Sequence, residues 1–287
     1  MTATTAAAPR VAHPDEPWPG LESYTEDDAG LFYGREAETE ELFRLLRREV
    51  LTVVFGPSGT GKTSLLQAGL FPRLASQHFF AVPVRFDYSR ANASLVGQVG
   101  TAFSQALARY GIEQESQEQG GQPDETLWEF LHRTVFWDKR NDAMTPVIVI
   151  DQFEEIFTLG KGHPGAAELL TQLADLVENY IPAGVRERLE RAGQALPPHA
   201  SEQHYKVMIA LREDFVSRLD LLRQKMPSVM HNRFALTRLN GRQALRPVLL
   251  PAAGLVSESV AEQIVRKVAS ADAAVPLEEI SVDPALL

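Results

Sequence analysis

From Leu51 to Ser64 the chain reads LTVVFGPSGTGKTS. A short, mostly apolar run ends before Gly56, the eight residues Gly56–Thr63 are of phosphate-loop type, and apolar residues at Leu65, Leu66 and Leu70 then recur at helical spacing. The first part reads as a buried strand and the last as a helix. Strand, glycine-rich turn and helix are the context that the pattern G-x-x-x-x-G-K-[ST] requires. The residue types have a chemical reason. Gly56, Gly59 and Gly61 let the backbone curl after Pro57, so that N–H groups such as those of Ser58, Thr60 and Ser64 can turn toward phosphate oxygens. A helix beginning near Gly61 adds the positive end of its dipole. Lys62 is placed to reach the β- and γ-phosphates, and the Thr63 hydroxyl to ligate Mg²⁺.

The rest of the chain supplies strands and helices in alternation. Thr25 followed by Glu26, Asp27 and Asp28 predicts a capped short helix ending near Phe32, and Glu36 to Arg48 a longer one with acids leading and arginines trailing. Phe79 to Tyr88, Pro146 to Ile150, Tyr205 to Leu211 and Arg233 to Leu236 read as further strands. Helices are predicted around Leu95 to Leu107, Leu127 to Val135 and Leu169 to Tyr180, with a polar loop from Ile112 to Glu125. Strand signals stop after about Asn240, and Ser259 to Glu262 resembles a capping box opening a helix through Val268. The expected fold is α/β, a P-loop NTPase of three α/β/α layers with a mainly parallel sheet, followed by a short helical segment. Expected boundaries are a flexible lead-in over 1–16, a nucleotide-binding domain over 17–240 and the start of a helical domain over 241–287.

A phosphate loop needs an acid at the end of a neighbouring apolar strand, and VIVIDQFEEIF offers one. Asp151 would hold Mg²⁺ through water, while Glu154 or Glu155 could orient or deprotonate the attacking water. Many motor ATPases carry the glutamate directly after the aspartate, where this chain has Gln152. An acidic first turn after a strand is also what the helix dipole favours without any catalysis. Arg212 closes the strand YKVMIAL and is followed by Glu213 and Asp214. It could touch the γ-phosphate, since ligands of open α/β sheets sit at the carboxyl ends of strands, or simply pair with its acidic neighbours.

Composition excludes several classes. With 28 basic and 38 acidic residues the net charge is −10, which opposes a broad nucleic-acid footprint. There is no cysteine, hence no disulfide framework or thiolate site. No apolar run approaches the roughly 18 residues of a membrane span, and the N-terminal stretch has no signal-peptide core, so a cytoplasmic location is expected. His132 and His204 have no metal-ligand spacing around them, and Trp18, Trp128 and Trp137 read as anchors of core or loop.

Taken in order, PWPGLESYTEDDAGLFYGRE, GPSGTGKTSLLQAGLFPRL, VIVIDQFEEIFTL and ALREDF resemble the STAND class of signal-transduction ATPases, in particular the bacterial novel STAND NTPase 1 group. The resemblance runs from about residue 17 to the end. It implies ATP or ADP with Mg²⁺ as cofactors, and it implies that FYGRE, with Phe32, Tyr33, Gly34 and Arg35, cups the adenine. It further implies that Arg212 is the arginine following the next strand and that Pro284, in ISVDPALL, touches the base. Such proteins usually continue into a winged-helix-like domain and sensor repeats, so protein partners or self-association through repeats beyond Leu287 are expected. The chain without them would be the nucleotide-binding engine alone. ATP rather than GTP rests on the resemblance, as no guanine-reading N-K-x-D element is present. The expected role is a nucleotide-dependent signalling switch with slow hydrolysis. The alternatives are a nucleotide-binding scaffold without hydrolysis, an AAA+-like motor acting on nucleic acid or protein, and a small-molecule kinase.

Overall fold

Val147, Ile148, Val149 and Ile150 are all nearly inaccessible, as a β-branched run covered on both faces must be. They belong to β5 (Ala143–Ile150), the strand around which the sheet is organised. This is a computed structural model, and it describes residues 18, 20, 22–89, 94–116, 125–193, 198–252 and 254–287. The lead-in expected over 1–16 lies outside the described residues, as does the middle of the polar loop, 117–124.

One mostly parallel sheet contains seven strands. Its order is β3 (Glu113–Ser116), β4 (Thr134–Trp137), β5, β6 (Lys206–Arg212), β1 (Leu51–Gly56) and β7 (Arg233–Ala235), with β2 (Phe79–Val84) also on β5. β2 runs parallel to Thr145–Ile150 and β6 parallel to Val147–Ile150, whereas β4 pairs antiparallel with Ala143 and Met144. The mixed α/β class with a mainly parallel sheet is as the sequence predicts. Pro83 is tolerated because β2 pairs, among the described residues, with β5 alone, and a proline forfeits no ladder bond on an open edge.

The chain divides into two compact units. One draws on residues up to Arg44, on Val54–Ser76 and on Phe234–Leu287; the other comprises Leu45–Val53 and Gln77–Arg233. The boundary falls inside β1 and inside α1 (Glu36–Arg48). The first unit carries α2 (Lys62–Ser64), which continues through a π-helical stretch Leu65–Leu70 into α3 (Phe71–Ala75). The second carries α4 (Leu95–Tyr110), α5 (Leu127–Arg133), α6 (Pro164–Glu178) and α7 (Ala183–Ala192). α8 (Gly241–Leu249) and α9 (Glu258–Val268) return to the first unit. They share a core of Leu239, Ala244, Val248, Ala261, Val265, Ile280 and Val282.

Four expectations are corrected. Glu113–Ser116 is a strand, not loop, because it pairs antiparallel with Thr134–Trp137. Val135 lies in that partner strand rather than on a helix, since the run TVFW is β-branched and aromatic and α5 stops at Arg133. A strand does occur after Asn240: β9 (Ser281–Val282) pairs antiparallel with β8 (Leu239–Asn240). α9 is capped by Ser257, whose Oγ accepts from the Val260 N–H at 3.4 Å, and not by a box formed by Ser259 and Glu262.

His132 is half-buried in the second unit. Its ring stacks on Trp128 at 4.0 Å between centroids, and its Nδ1 lies 2.7 Å from the Trp128 carbonyl oxygen. Burial lowers its pKa from 6.5, outweighing the hydrogen bonds to Trp128 and Asn179 that favour the charged ring. Acid should therefore destabilise this unit. Above about pH 6.5 the ring is neutral whether folded or not, and its contribution is intact; below that the unfolded chain gains a proton that folded His132 resists. We expect the melting temperature to fall between about pH 7.5 and about pH 5.5, and to fall less in His132→Phe, measured by circular dichroism.

Candidate nucleotide-binding site

In the first unit β1 ends at Gly56, and the chain reverses through Pro57 to Gly61 before α2 begins. Gly59 and Gly61 take φ of +82° and +84°, a region that side-chain-bearing residues avoid. A Cβ on Gly56 would sit 2.3 Å from the Leu236 carbonyl oxygen, so only glycine fits where the chain after β7 passes. Thr60, almost fully buried, donates its hydroxyl to the Pro57 carbonyl at 2.9 Å and closes the curl from within. Lys62 Nζ donates to the Gly56 and Pro57 carbonyls, both at 2.9 Å, which keeps its charge at the loop. The Leu65 N–H meets the Gly61 carbonyl at 2.8 Å, the first helical bond behind the loop, with Thr63 in that first turn. Ser64 Oγ accepts from the Tyr24 N–H at 3.2 Å. A curled loop, a lysine and a helix start in succession can accept a polyphosphate.

The segment FYGRE lies in the same unit. Phe32 is partly buried beside Tyr24, with ring centroids 5.6 Å apart, and Tyr33 is likewise half-buried. Gly34 has φ +85°, and a Cβ there would come within 2.5 Å of the Gln243 carbonyl oxygen in the first turn of α8. Arg35 is 4% exposed and its guanidinium is committed to protein. Nη1 meets Glu38 at 2.8 Å, while Nη2 donates to the Thr60 carbonyl at 3.2 Å and the Thr237 carbonyl at 2.7 Å. Glu38 Oε1 also accepts from Gln243 Nε2 at 2.8 Å. Arg35 thus braces the phosphate loop rather than facing outward. Pro284 is half-buried in a short helical turn, Pro284–Leu286, that follows β9.

The second unit carries the acids. Asp151 follows β5, and its N–H donates to the Val84 carbonyl at 3.3 Å while its Oδ1 accepts from the Gln152 N–H at 2.9 Å. Gln152 adopts φ +56°, left-handed and costly for a residue with a side chain. Arg85 holds the Gln152 side chain through a 2.6 Å hydrogen bond to Oε1 and stands 3.9 Å from Glu155. Phe153–Phe157 forms a 3₁₀ turn that buries Phe153 and Ile156 and leaves Glu154 and Glu155 half-exposed. Glu154 Oε2 accepts from the Arg212 N–H at 3.3 Å. Tyr88 has its pKa raised, by burial first and by the charge of Glu155 second. The Arg212 guanidinium makes a two-pronged pair with Asp214, at 3.0 and 2.8 Å, the neighbour pairing that the sequence left open.

The family model for novel STAND NTPase 1 matches residues 17–282. The chain belongs to this family. As a STAND NTPase it is a nucleotide-binding protein of P-loop type. No curated protein matches it. Similar solved structures include Cdc6p from Pyrobaculum aerophilum, 17% identical with a TM-score of 0.45 over 80% of this chain and 54% of that one. The Walker-type ATPase of Pyrococcus abyssi is 14% identical with a TM-score of 0.47 over 86% of this chain and 65% of that one. The ORC2 protein of Aeropyrum pernix, solved with ADPNP and ADP, is 15% identical with a TM-score of 0.45 over 81% of this chain and 56% of that one. The chain therefore spans less than two thirds of the length of each.

The donor set of this STAND NTPase fits a nucleotide-borne magnesium ion. Among the described residues no three His, Asp or Glu side chains gather into a metal cage. Mg²⁺ asks for none, since it is held by one or two protein oxygens together with phosphates, and in the first unit the Thr63 hydroxyl is a hard oxygen of that kind. Among the described residues no helix is long and apolar enough to cross a membrane. Residues that sequence reasoning missed are Glu38, Thr237 and Gln243. The first had a legible signal, a carboxylate three residues after Arg35 on one helical face; the others come from 202 and 205 residues along the chain and had none. Removing the brace should be costly. Arg35→Ala leaves a buried carboxylate and two carbonyls without their donor, and we expect a loss of about 3–5 kcal/mol in denaturant unfolding. Arg35→Lys should recover little, because a point charge cannot serve three directions at once.

Proposed function

We propose that the chain is a regulatory ATPase switch, in which ATP with Mg²⁺ at Gly56–Thr63 sets the orientation of the C-terminal helical segment. One observation carries the reading. The Thr60 carbonyl of the phosphate loop and the Gln243 side chain of α8 belong to a single hydrogen-bonded network through Arg35 and Glu38. A ligand that reshapes the loop must act on that network, and so has different affinities for two arrangements of the segment, as a switch requires. A scaffold would need no such link.

In this reading residues 17–240 bind the nucleotide, 241–287 begin the moving domain, and Mg²⁺ draws on the Thr63 hydroxyl and the Asp151 carboxylate. Phe32, Tyr33 and Gly34 flank the adenine from one side and Pro284 from the other. Adenine over guanine follows the family. Glu154 is the base or water-orienting group, since the Arg212 N–H anchors it at the end of β6. Glu155 is instead beside the Arg85 guanidinium. Hydrolysis is slow because Gln152 occupies the place directly after the aspartate and because Arg212 must leave Asp214 before it can meet a γ-phosphate. Partners are other proteins or further copies of the chain, in the cytoplasm, and the net charge of −10 speaks against nucleic acid.

Lys62→Ala should weaken ATP binding by tenfold or more, on the order of what a charge-assisted contact supplies, as read by calorimetry. Unchanged binding would defeat the assignment. Glu154→Gln should cut single-turnover hydrolysis by about a hundredfold with binding retained, and Glu155→Gln should cost far less. Equal losses in the two variants would remove the distinction drawn between them. Rapid steady-state turnover of the wild-type chain without any partner would count against a switch.

A further inference from the structure

The phosphate loop has an acidic neighbour that the nucleotide-binding reading does not use. A methyl group on Gly59 would lie 3.3 Å from Asp283 Oδ1, 3.6 Å from Oδ2 and 3.9 Å from the Ala285 Cβ. The carboxylate of the C-terminal segment therefore rests against the loop that is to receive a polyanion. Its contacts are the Ala285 N–H, donated to Oδ1 at 3.1 Å, and the Arg238 guanidinium, 3.7 Å from Oδ2. The placement is built rather than incidental. β8 and β9 pair Leu239 with Val282 and Asn240 with Ser281, which brings Arg238 and Asp283 to adjoining ends of one small ladder. Val282 is fully buried in the segment's own core, whereas Arg238 is half-exposed and Asp283 partly so. Val282 is thus a fixed anchor, and Asp283–Leu287 is the part that can move.

A carboxylate and a nucleotide phosphate repel each other, and among the described residues the guanidinium that faces this carboxylate is that of Arg238, whose charge a phosphate would attract in turn. We propose that Asp283 and Arg238 form a charge latch on the phosphate loop, closed while Arg238 pairs with Asp283 and opened when a bound polyphosphate takes Arg238 and expels the Asp283 carboxylate. The latch rests on the reading of Gly56–Thr63 as a phosphate-binding loop. Its effect grows with the charge of the ligand, so the triphosphate opens it further than the diphosphate. Because Pro284 is the next residue, opening also shifts the segment expected to touch the base. The number of phosphates is converted in this way into a displacement of Asp283–Leu287.

The test uses the full chain with Mg²⁺ and either ATPγS or ADP, measured by calorimetry. Asp283→Asn should tighten ATPγS binding by about tenfold, and ADP binding by less, because it removes one of two like charges held close together. Arg238→Gln should weaken ATPγS binding. In the wild type, amide exchange at Ala285, Leu286 and Leu287 should quicken on adding ATPγS and respond less to ADP. If Asp283→Asn binds ATPγS within about twofold of the wild type while Lys62→Ala abolishes binding, the latch is wrong and the phosphate loop stands. If Lys62→Ala binds as the wild type does, the loop reading falls and the latch with it.

Discussion

A guanidinium with 4% exposure cannot rely on water, so protein must meet its N–H groups and offset its charge. Arg35 sets that demand, and much of the first unit follows from it. Glu38 supplies the countercharge one helical turn on, and the Thr60 and Thr237 carbonyls supply acceptors from the phosphate loop and from the stretch after β7. Gly34 must be glycine because the backbone of α8 comes so close behind it. Gln243 then serves twice. Its Oε1 accepts from the Asn240 N–H as half of a capping box at the start of α8, while its Nε2 reaches Glu38. A helix cap and a loop brace share one side chain, so neither can be disturbed alone.

The acids of the second unit are held by a different device. The chain leaves β5 at Asp151 and enters a left-handed residue that is not glycine, Gln152. A strained backbone of this kind persists only where the surroundings fix it. The fixing groups are the Arg85 guanidinium on the Gln152 side chain and the burial of Phe153 and Ile156 beneath the following turn. The result turns Glu154 and Glu155 to different partners although they are adjacent in sequence. Period alone could not separate them, which is why the sequence left both as candidates.

The legible parts of the fold were those with strong local signals. β1 and β5 show as short apolar runs, α1 as a helix with acids first and arginines last, and the phosphate loop as glycines in a fixed order. β3 carried no such signal, because Glu113–Ser116 is exposed throughout and owes its form to its antiparallel partner. The partner was disguised, since Val135 continues the helical spacing of Leu127, Trp128 and Leu131 while the backbone has already changed state at Thr134. β8 and β9 are too short to show a period, and they are paired across more than forty residues. The same limit applies to the site. Its glycines and lysine were visible, but Thr237, Gln243 and Asp283 come to it through tertiary pairing.

The cohesion of the C-terminal segment and its attachment to the phosphate-loop side are of different kinds. Internally it is apolar: Ala244, Val248, Ala261, Val265 and Val282 are all nearly inaccessible, and opening that core costs free energy in proportion to the apolar area exposed. Polar contacts help tie it to its own unit around the loop. They include Gln243 to Glu38, Arg246 to Glu36 at 3.0 Å, and the Trp18 indole N–H to the Pro247 carbonyl at 3.1 Å. A hydrogen bond or an exposed ion pair contributes only about 1 kcal/mol net, because water or another partner can replace it. Rearranging a few such contacts while the apolar core stays intact therefore costs a few kcal/mol, which is within the reach of a ligand that prefers one arrangement over the other. Without an apolar interior of its own, the segment could not change its polar contacts and stay folded.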